Sequence, residues 1–171
     1  MKPDNDRFVE YYNGIKDKLL TYLMVRLQFD RKISEDLMMD VVLKAYEHFN
    51  KFDEAKGSFK TWIFTLTHNH LVNYWRDQKK SVSLEGLEEE GIHPAITESA
   101  HQAGRQSDRR NITKILSMMK ESEREIISMR YFQELDYAEI ASITGRNEGA
   151  IRTSLSRALD RFSDLYKKFY S

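Results

Sequence analysis

The chain has 171 residues, no cysteine, and 27 basic side chains against 27 acidic ones. That length holds one ordinary domain or two small ones, and the lack of cysteine excludes disulfides, thiolate metal sites and thiol redox chemistry. No apolar run is long enough to span a bilayer and no signal-peptide pattern follows Met1-Lys2-Pro3, so a soluble, cytoplasmic chain without membrane insertion is expected.

The first segment reads as helices. Phe8, Tyr11, Tyr12, Ile15, Leu19, Tyr22, Leu23 and Leu27 form a broad apolar face. Ser34 can cap a second helix running to about Asn50. Leu37, Val41, Ala45 and Phe49 repeat at i,i+4 on its inner side, while Glu35, Asp36, Asp40 and Lys44 lie opposite. A loop at residues 51–57 ends in Gly57, and Ser58 can cap a third helix to about Lys80, rich in aromatics and amides.

On that third helix Thr65, Leu66, Asn69 and Asn73 share a stripe, flanked by Phe64 and Trp75. Asn is a mediocre helix former, so two of them one turn apart read either as a solvated face or as a surface that hydrogen-bonds and stacks bases. Phe59, Trp62, Ile63, Leu66, Leu71 and Tyr74 read as core. His68 and His70 are two apart, hence on different helix faces, and form a poor metal-ligand pair; no metal or cofactor is expected.

Residues 1–80 carry 14 Lys+Arg and 12 Asp+Glu, and residues 105–171 carry 13 and 10. Between them, 81–104 holds Glu85, Glu88, Glu89, Glu90 and Glu98 with no Lys or Arg. Its Gly, Ser and Pro content marks a flexible acidic linker. The expected fold is all-α: two small helical domains, 1–80 and 107–171, joined by a linker at 81–106.

The C-terminal segment contains a helix-turn-helix pattern. Asp136 can cap a helix carrying Tyr137, Ile140, Ala141 and Thr144; Gly145 stands where positive φ is needed; Asn147 can cap the next helix. That next helix buries Ile151, Leu155, Leu159 and Phe162 and leaves Arg152, Thr153, Ser156 and Arg157 toward solvent. The pattern reads either as an ordinary αα-hairpin of a helical protein or, the reading favoured by its capping and its Ala–Gly–Ile placement, as a helix that enters a major groove, Arg reaching base edges and Ser or Thr reaching phosphates. The net neutrality is unusual for a chain that finds DNA unaided and points to a partner that supplies general affinity.

The run SEDLMMDVVLKAYEHFNKFDEAKGSFKTWIFTLTHNHLVNYWRDQKK, the linker, and ESEREIISMRYFQELDYAEIASITGRNEGAIRTSLSRALDRF together resemble RNA polymerase sigma factors of the extracytoplasmic-function class, in the sigma-70 family. The resemblance implies a subunit without enzymatic activity that binds core RNA polymerase, through the β′ clamp helices and the β flap, and directs promoter recognition, melting and initiation. It implies that Asp36, Asp40 and Lys44 engage the polymerase clamp. Phe52, Lys56, Phe64, Thr65, Leu66, Asn69 and Asn73 fall on positions that take the non-template strand of the −10 element. Arg152, Thr153, Ser156 and Arg157 fall on positions that enter the −35 major groove. Met39 replaces a usual Gln, Ser154 a frequent Arg, and Arg146 a usual apolar residue. The resemblance also implies an anti-sigma factor as a regulatory partner.

Overall fold

Helix α1 (Asn5–Arg26) begins where the Asp4 carboxylate accepts a hydrogen bond from the Arg7 amide at 3.3 Å. The structure, a computed structural model, describes residues 4–85 and 105–171, and every regular element among them is helical. Phe8, Ile15, Leu19, Tyr22, Leu23 and Val25 are buried on α1, with Tyr11, Tyr12 and Leu27 half-covered beside them. The turn that follows holds Gln28 and Phe29 at φ of 53° and 64°. Left-handed backbone at a residue with a Cβ costs about 1–2 kcal/mol, so the packing on either side fixes this reversal.

Helix α2 (Arg31–Glu47) starts earlier than expected, because its cap is Asp30 rather than Ser34. The Asp30 carboxylate accepts from the Ile33 amide at 3.0 Å, whereas Ser34 is buried within the first turn and donates to the Asp30 carbonyl at 2.6 Å. A serine whose hydroxyl bonds back one turn is part of the helix, not its start. Leu37, Val41, Ala45 and Phe49 are buried as expected. The chain then passes two 3₁₀ turns, Phe49–Lys51 and Glu54–Lys56, the second capped by Asp53.

Helix α3 (Phe59–Glu85) is capped by Ser58, which accepts from the Thr61 amide at 3.1 Å. It continues past Lys80, so residues 81–85 of the expected linker 81–106 are helical, as are 105 and 106 in the next helix; residues 86–104 lie outside the described residues. Helix α4 (Arg105–Met118) is followed by α5 (Glu121–Ile127), where the Lys120 amide donates to the Glu123 carboxylate at 2.9 Å. A π-helical turn over Ser128–Phe132 then widens the chain's path, with Gln133 N–H to Ser128 O and Leu135 N–H to Met129 O both at 3.0 Å. Helices α6 (Tyr137–Thr144) and α7 (Glu148–Tyr170) complete the chain.

The two sets of helices pack on one another, α1 and α3 against α5, the π turn and α6. Arg26, only 2% exposed, anchors the seam. It donates to Glu121 and to the Tyr22 hydroxyl, stands 3.0 Å from Glu125 Oε1, and lies over the Trp75 ring at 4.9 Å. Burial alone would pull this guanidinium down, but Tyr22, Glu125 and Glu121 hold it above its ordinary value, so it stays charged. Arg124 donates to the Val25 carbonyl at 3.0 Å, Thr61 to Glu139 at 3.3 Å, and Lys18 to Glu134 at 3.3 Å.

Candidate nucleic-acid interface

The helix-turn-helix forms from its own capping residues. Asp136 accepts from the Glu139 amide at 2.8 Å and Glu139 accepts from the Asp136 amide at 2.9 Å, a reciprocal box that satisfies two donors at the start of α6. Gly145 adopts φ 69°, and Asn147 accepts from the Ala150 amide at 2.7 Å to start α7. Ile151 is fully buried in the angle between the helices and Leu155 is buried one turn on. Leu159 differs from expectation: it is 36% exposed, because Ala158 and Leu165 take the inner positions of α7.

Arg152, Thr153, Ser156 and Arg157 all lie exposed on α7. Arg152 rests over the Tyr137 ring at 4.8 Å and pairs with Glu148 at 3.5 Å, which limits its rotamers. The Thr153 hydroxyl donates to the Gly149 carbonyl at 3.1 Å, leaving its lone pairs outward. Two of the three departures from the family pattern meet in space: Arg146 reaches from the turn across to the Ser154 hydroxyl and to the Ala150 carbonyl. A guanidinium therefore covers position 154 although the helix residue there is serine.

On α3, Asn69 and Asn73 are exposed and Thr65 and Leu66 half-exposed. The Thr65 hydroxyl bonds back to the Thr61 carbonyl at 2.8 Å, so it serves the helix as well as its surface. Phe64 is a correction. It is 0% exposed and packs edge-on against Tyr22 at 5.2 Å, so its ring meets no strand. The helical period puts Phe64 on the side shared with Thr61, His68 and Trp75, a quarter-turn or more from the amide stripe.

The loop residue Phe52 is half-buried in an aromatic cluster, its ring 5.6 Å from Tyr11, 5.8 Å from Phe49 and 5.3 Å from Trp62. Lys56 is exposed beside it and pairs only loosely with Asp53, at 4.0 Å. The aromatic cluster gives the loop a rigid floor, with a mobile cation at its rim.

Helix α2 presents Asp36, Asp40 and Lys44 outward, with Met39 and Leu43 beside them at 70% and 59% exposure. Sequence reasoning missed the role of His70. Its Nδ1 stands 3.0 Å from Lys44 Nζ and its Nε2 3.6 Å from Asp40 Oδ2. Burial and then the Lys44 charge hold His70 below its ordinary value, with Asp40 opposing. The ring is thus hydrogen-bonded to Lys44, while its Nε2 stays outside hydrogen-bond distance of Asp40. His68 faces the other way, its Nδ1 2.7 Å from Glu125 Oε1. Among the described residues no group of His, Cys, Asp and Glu is placed to hold a metal ion.

An apolar groove of about 200 Å³ runs between α4, α5, the π turn and α7, lined by Ile112, Leu116, Ile127, Tyr131, Phe132, Leu159 and Phe162. Tyr131 is 56% exposed. The π turn, which no local sequence signal marks, is what turns Tyr131 and Phe132 outward.

The Sigma-70 region 2 family model matches residues 16–81 and the Sigma-70, region 4 model matches residues 109–162. The chain is similar to the ECF RNA polymerase sigma factor SigM of Bacillus subtilis (strain 168), 29% identical over 140 residues, covering 81% of this chain and 83% of that protein. It is similar to the ECF RNA polymerase sigma factor SigK of Mycobacterium tuberculosis (strain ATCC 25618 / H37Rv), 26% identical over 157 residues, covering 91% and 83%. Among solved structures, the sigma factor RpoE in complex with the anti-sigma factor NepR from Bartonella quintana matches with TM-score 0.70 and 25% identity, over 92% of this chain and 97% of that one. The fold also matches CnrH, solved in complex with the cytosolic domain of CnrY, with TM-score 0.69 and 17% identity, over 97% and 92%.

Proposed function

We propose that this chain, which belongs to the sigma-70 family of RNA polymerase subunits in its extracytoplasmic-function type, works as a two-module initiation factor whose halves divide the promoter between them. The chain binds core polymerase and directs it to promoters. Residues 1–80 act as region 2 and 107–171 as region 4, joined across 81–106. Asp36, Asp40 and Lys44, the last in contact with His70, are flanked by Met39 and Leu43 and engage the polymerase clamp. The groove lined by Tyr131, Phe132 and Leu159 accepts an apolar helix of the β flap, a fit supported by its size and lack of polar lining.

Recognition follows from the chemistry of each face. Arg152 and Arg157 read base edges of the −35 duplex, with Thr153 and Ser156 on phosphates. Phe52, Lys56, Thr65, Leu66, Asn69 and Asn73 hold the opened −10 strand, restoring the stacking and hydrogen bonds that unpaired bases lose. The chain itself breaks no covalent bond; binding energy drives strand separation and the polymerase catalyses. It acts in the cytoplasm, where its template lies; among the described residues no helix is long and apolar enough to cross a membrane.

An anti-sigma factor is the proposed switch, because the α2 face and the apolar groove are both exposed among the described residues. The observation that carries the whole reading is the pairing of an outward amide stripe on α3 with a capped, outward-facing recognition helix on α7 in one chain. The test is transcription with purified chain and bacterial core polymerase. Specific initiation that core alone does not give is the expected result; no binding to core would overturn it.

A further inference from the structure

The outward face of α7 carries Arg152, Thr153, Ser156 and Arg157, and a tethered arginine stands along each of its two edges. On one edge Arg152 lies over the Tyr137 ring and pairs with Glu148 at 3.5 Å. On the other, Ala150 and Ser154 stand one turn apart and half-buried, beside Thr153 and Arg157. Arg146 enters this second edge from the turn. Its Nη2 donates to the Ala150 carbonyl at 3.4 Å and to the Ser154 hydroxyl, so the guanidinium lies along the helix instead of trailing into solvent.

Both of these bonds use the same nitrogen and end on neutral oxygens. The donors on Nε and Nη1 are left unused, and no carboxylate pairs with the side chain, which is exposed. The Glu125 carboxylate feels Arg146 only weakly, because His68 and Arg26 act on it more strongly. From residue 148 to residue 157 the helix holds a single acid, Glu148, on the far edge and already taken by Arg152. Arg146 and Arg157 thus flank a stretch of helix surface that has positive charge and no anion to answer it.

Resting on the sigma-factor reading, we propose that Arg146 is a further DNA-binding residue of the −35 site: held against the edge of α7 by Ser154, its guanidinium takes a backbone phosphate at the rim of the major groove. The edge position selects phosphate over base. A helix in the groove turns the middle of its outward face to the base edges, while its flanks meet the sugar-phosphate walls. Such a contact fixes the depth and register of the helix without telling one base from another. Ser154 is a positioning residue, because it touches no DNA and restricts where the guanidinium goes.

The test uses the full chain assembled with bacterial core polymerase. The probes are a promoter duplex from which that assembly initiates and duplexes with single base-pair changes in its −35 element. Affinity is read by fluorescence anisotropy over a salt series, with the Tm of each variant measured alongside. Arg146→Ala should weaken binding about three- to tenfold, by the same factor on every −35 sequence, and lower the slope of log K against log salt by about 0.9, the value for one phosphate on duplex DNA. Arg146→Lys should keep the slope, since the charge remains. Ser154→Ala should weaken binding about twofold in the native chain and add nothing to Arg146→Ala, as coupled residues do. Combining Arg146→Ala with Ser154→Arg should restore the slope, because the second change returns a guanidinium to the same edge.

Unchanged affinity and slope in Arg146→Ala would overturn the contact, and a fall in Tm alongside would make the residue a support of Glu125 at the seam. A loss confined to one base pair would overturn phosphate recognition in favour of a base edge. Equal loss from Ser154→Ala in both backgrounds would overturn its positioning role. If the wild-type assembly initiates on no duplex, the sigma-factor reading falls instead, and this inference with it.

Discussion

The Arg152 guanidinium lies over the Tyr137 ring, 4.8 Å from its centroid, so the first helix of the helix-turn-helix holds an exposed arginine of the second. Arg130 approaches the same ring at 5.3 Å. A cation–π contact at an exposed site such as this one is worth about 0.5–1 kcal/mol. Tyr137→Ala is therefore expected to weaken binding to a −35 duplex by up to about fivefold with core present, and Tyr137→Phe to leave it unchanged. Equal loss in both variants would assign the effect to the hydroxyl instead.

Direct contacts should show a larger effect. Arg152→Ala and Arg157→Ala are each expected to weaken −35 recognition by about 1–3 kcal/mol. Asn69→Ala should leave that step intact and impair opening, because its partner exists only once the strand is unpaired. Permanganate footprinting separates the two: normal melting by the Asn69 variant would reduce this amide to a solvated surface residue.

At the seam, Arg26 is fully buried and Glu125 nearly so. Removing one partner of a buried pair leaves a charge without compensation, commonly about 3 kcal/mol or more. Glu125→Ala should lower the urea midpoint by a corresponding amount, tempered by the surviving Glu121 contact. The double variant Arg26→Met with Glu125→Gln should recover much of the loss, because it removes the buried charge altogether.

Acid should loosen the fold in two stages. His70 is held below its ordinary value by burial and Lys44, so the folded state disfavours its proton, and the stability present above about pH 6.5 falls as pH drops through its folded pKa. Burial pushes Glu125 up, but the nearby His68 and Arg26 outweigh this and hold it below the usual carboxylate range. Its contribution is present above its unfolded value and fades only at lower pH. Thermal melts between pH 7.5 and 5.5 should show the first stage in the wild type and a reduced slope in His70→Gln.

The proposed docking of the polymerase on the apolar groove has its own test. Leu159 is already partly in solvent, so Leu159→Glu should leave Tm nearly unchanged while weakening core binding about tenfold or more. A large drop in Tm would mean the side chain supports the core.

The capped turn at residues 136–147 was readable because its signals are local: Asp136, Gly145 and Asn147 each need only their own neighbours in sequence. The same holds for the buried repeat Leu37, Val41, Ala45. Phe64 was misread because its helix has apolar residues nearly all round, and only the packing of α1 decides which of them are covered. Ser34 lost its capping role to Asp30, a competing acceptor one turn away. The His70–Lys44 contact and the outward Tyr131 depend on contacts between distant segments and on a π turn, for which neither periodicity nor propensity carries a signal.

The charged seam has one more consequence, for exchange of parts between related chains. Buried ion pairs add little net strength but admit few alternative dockings. Arg26 is matched by Glu121 and Glu125 from the other half, and Lys18 by Glu134. A second half lacking acids at those places would leave Arg26 buried and unanswered, so a chimera of two such proteins could fold each half correctly and still fail to close. The charges at the seam thus limit which second half a given first half can dock.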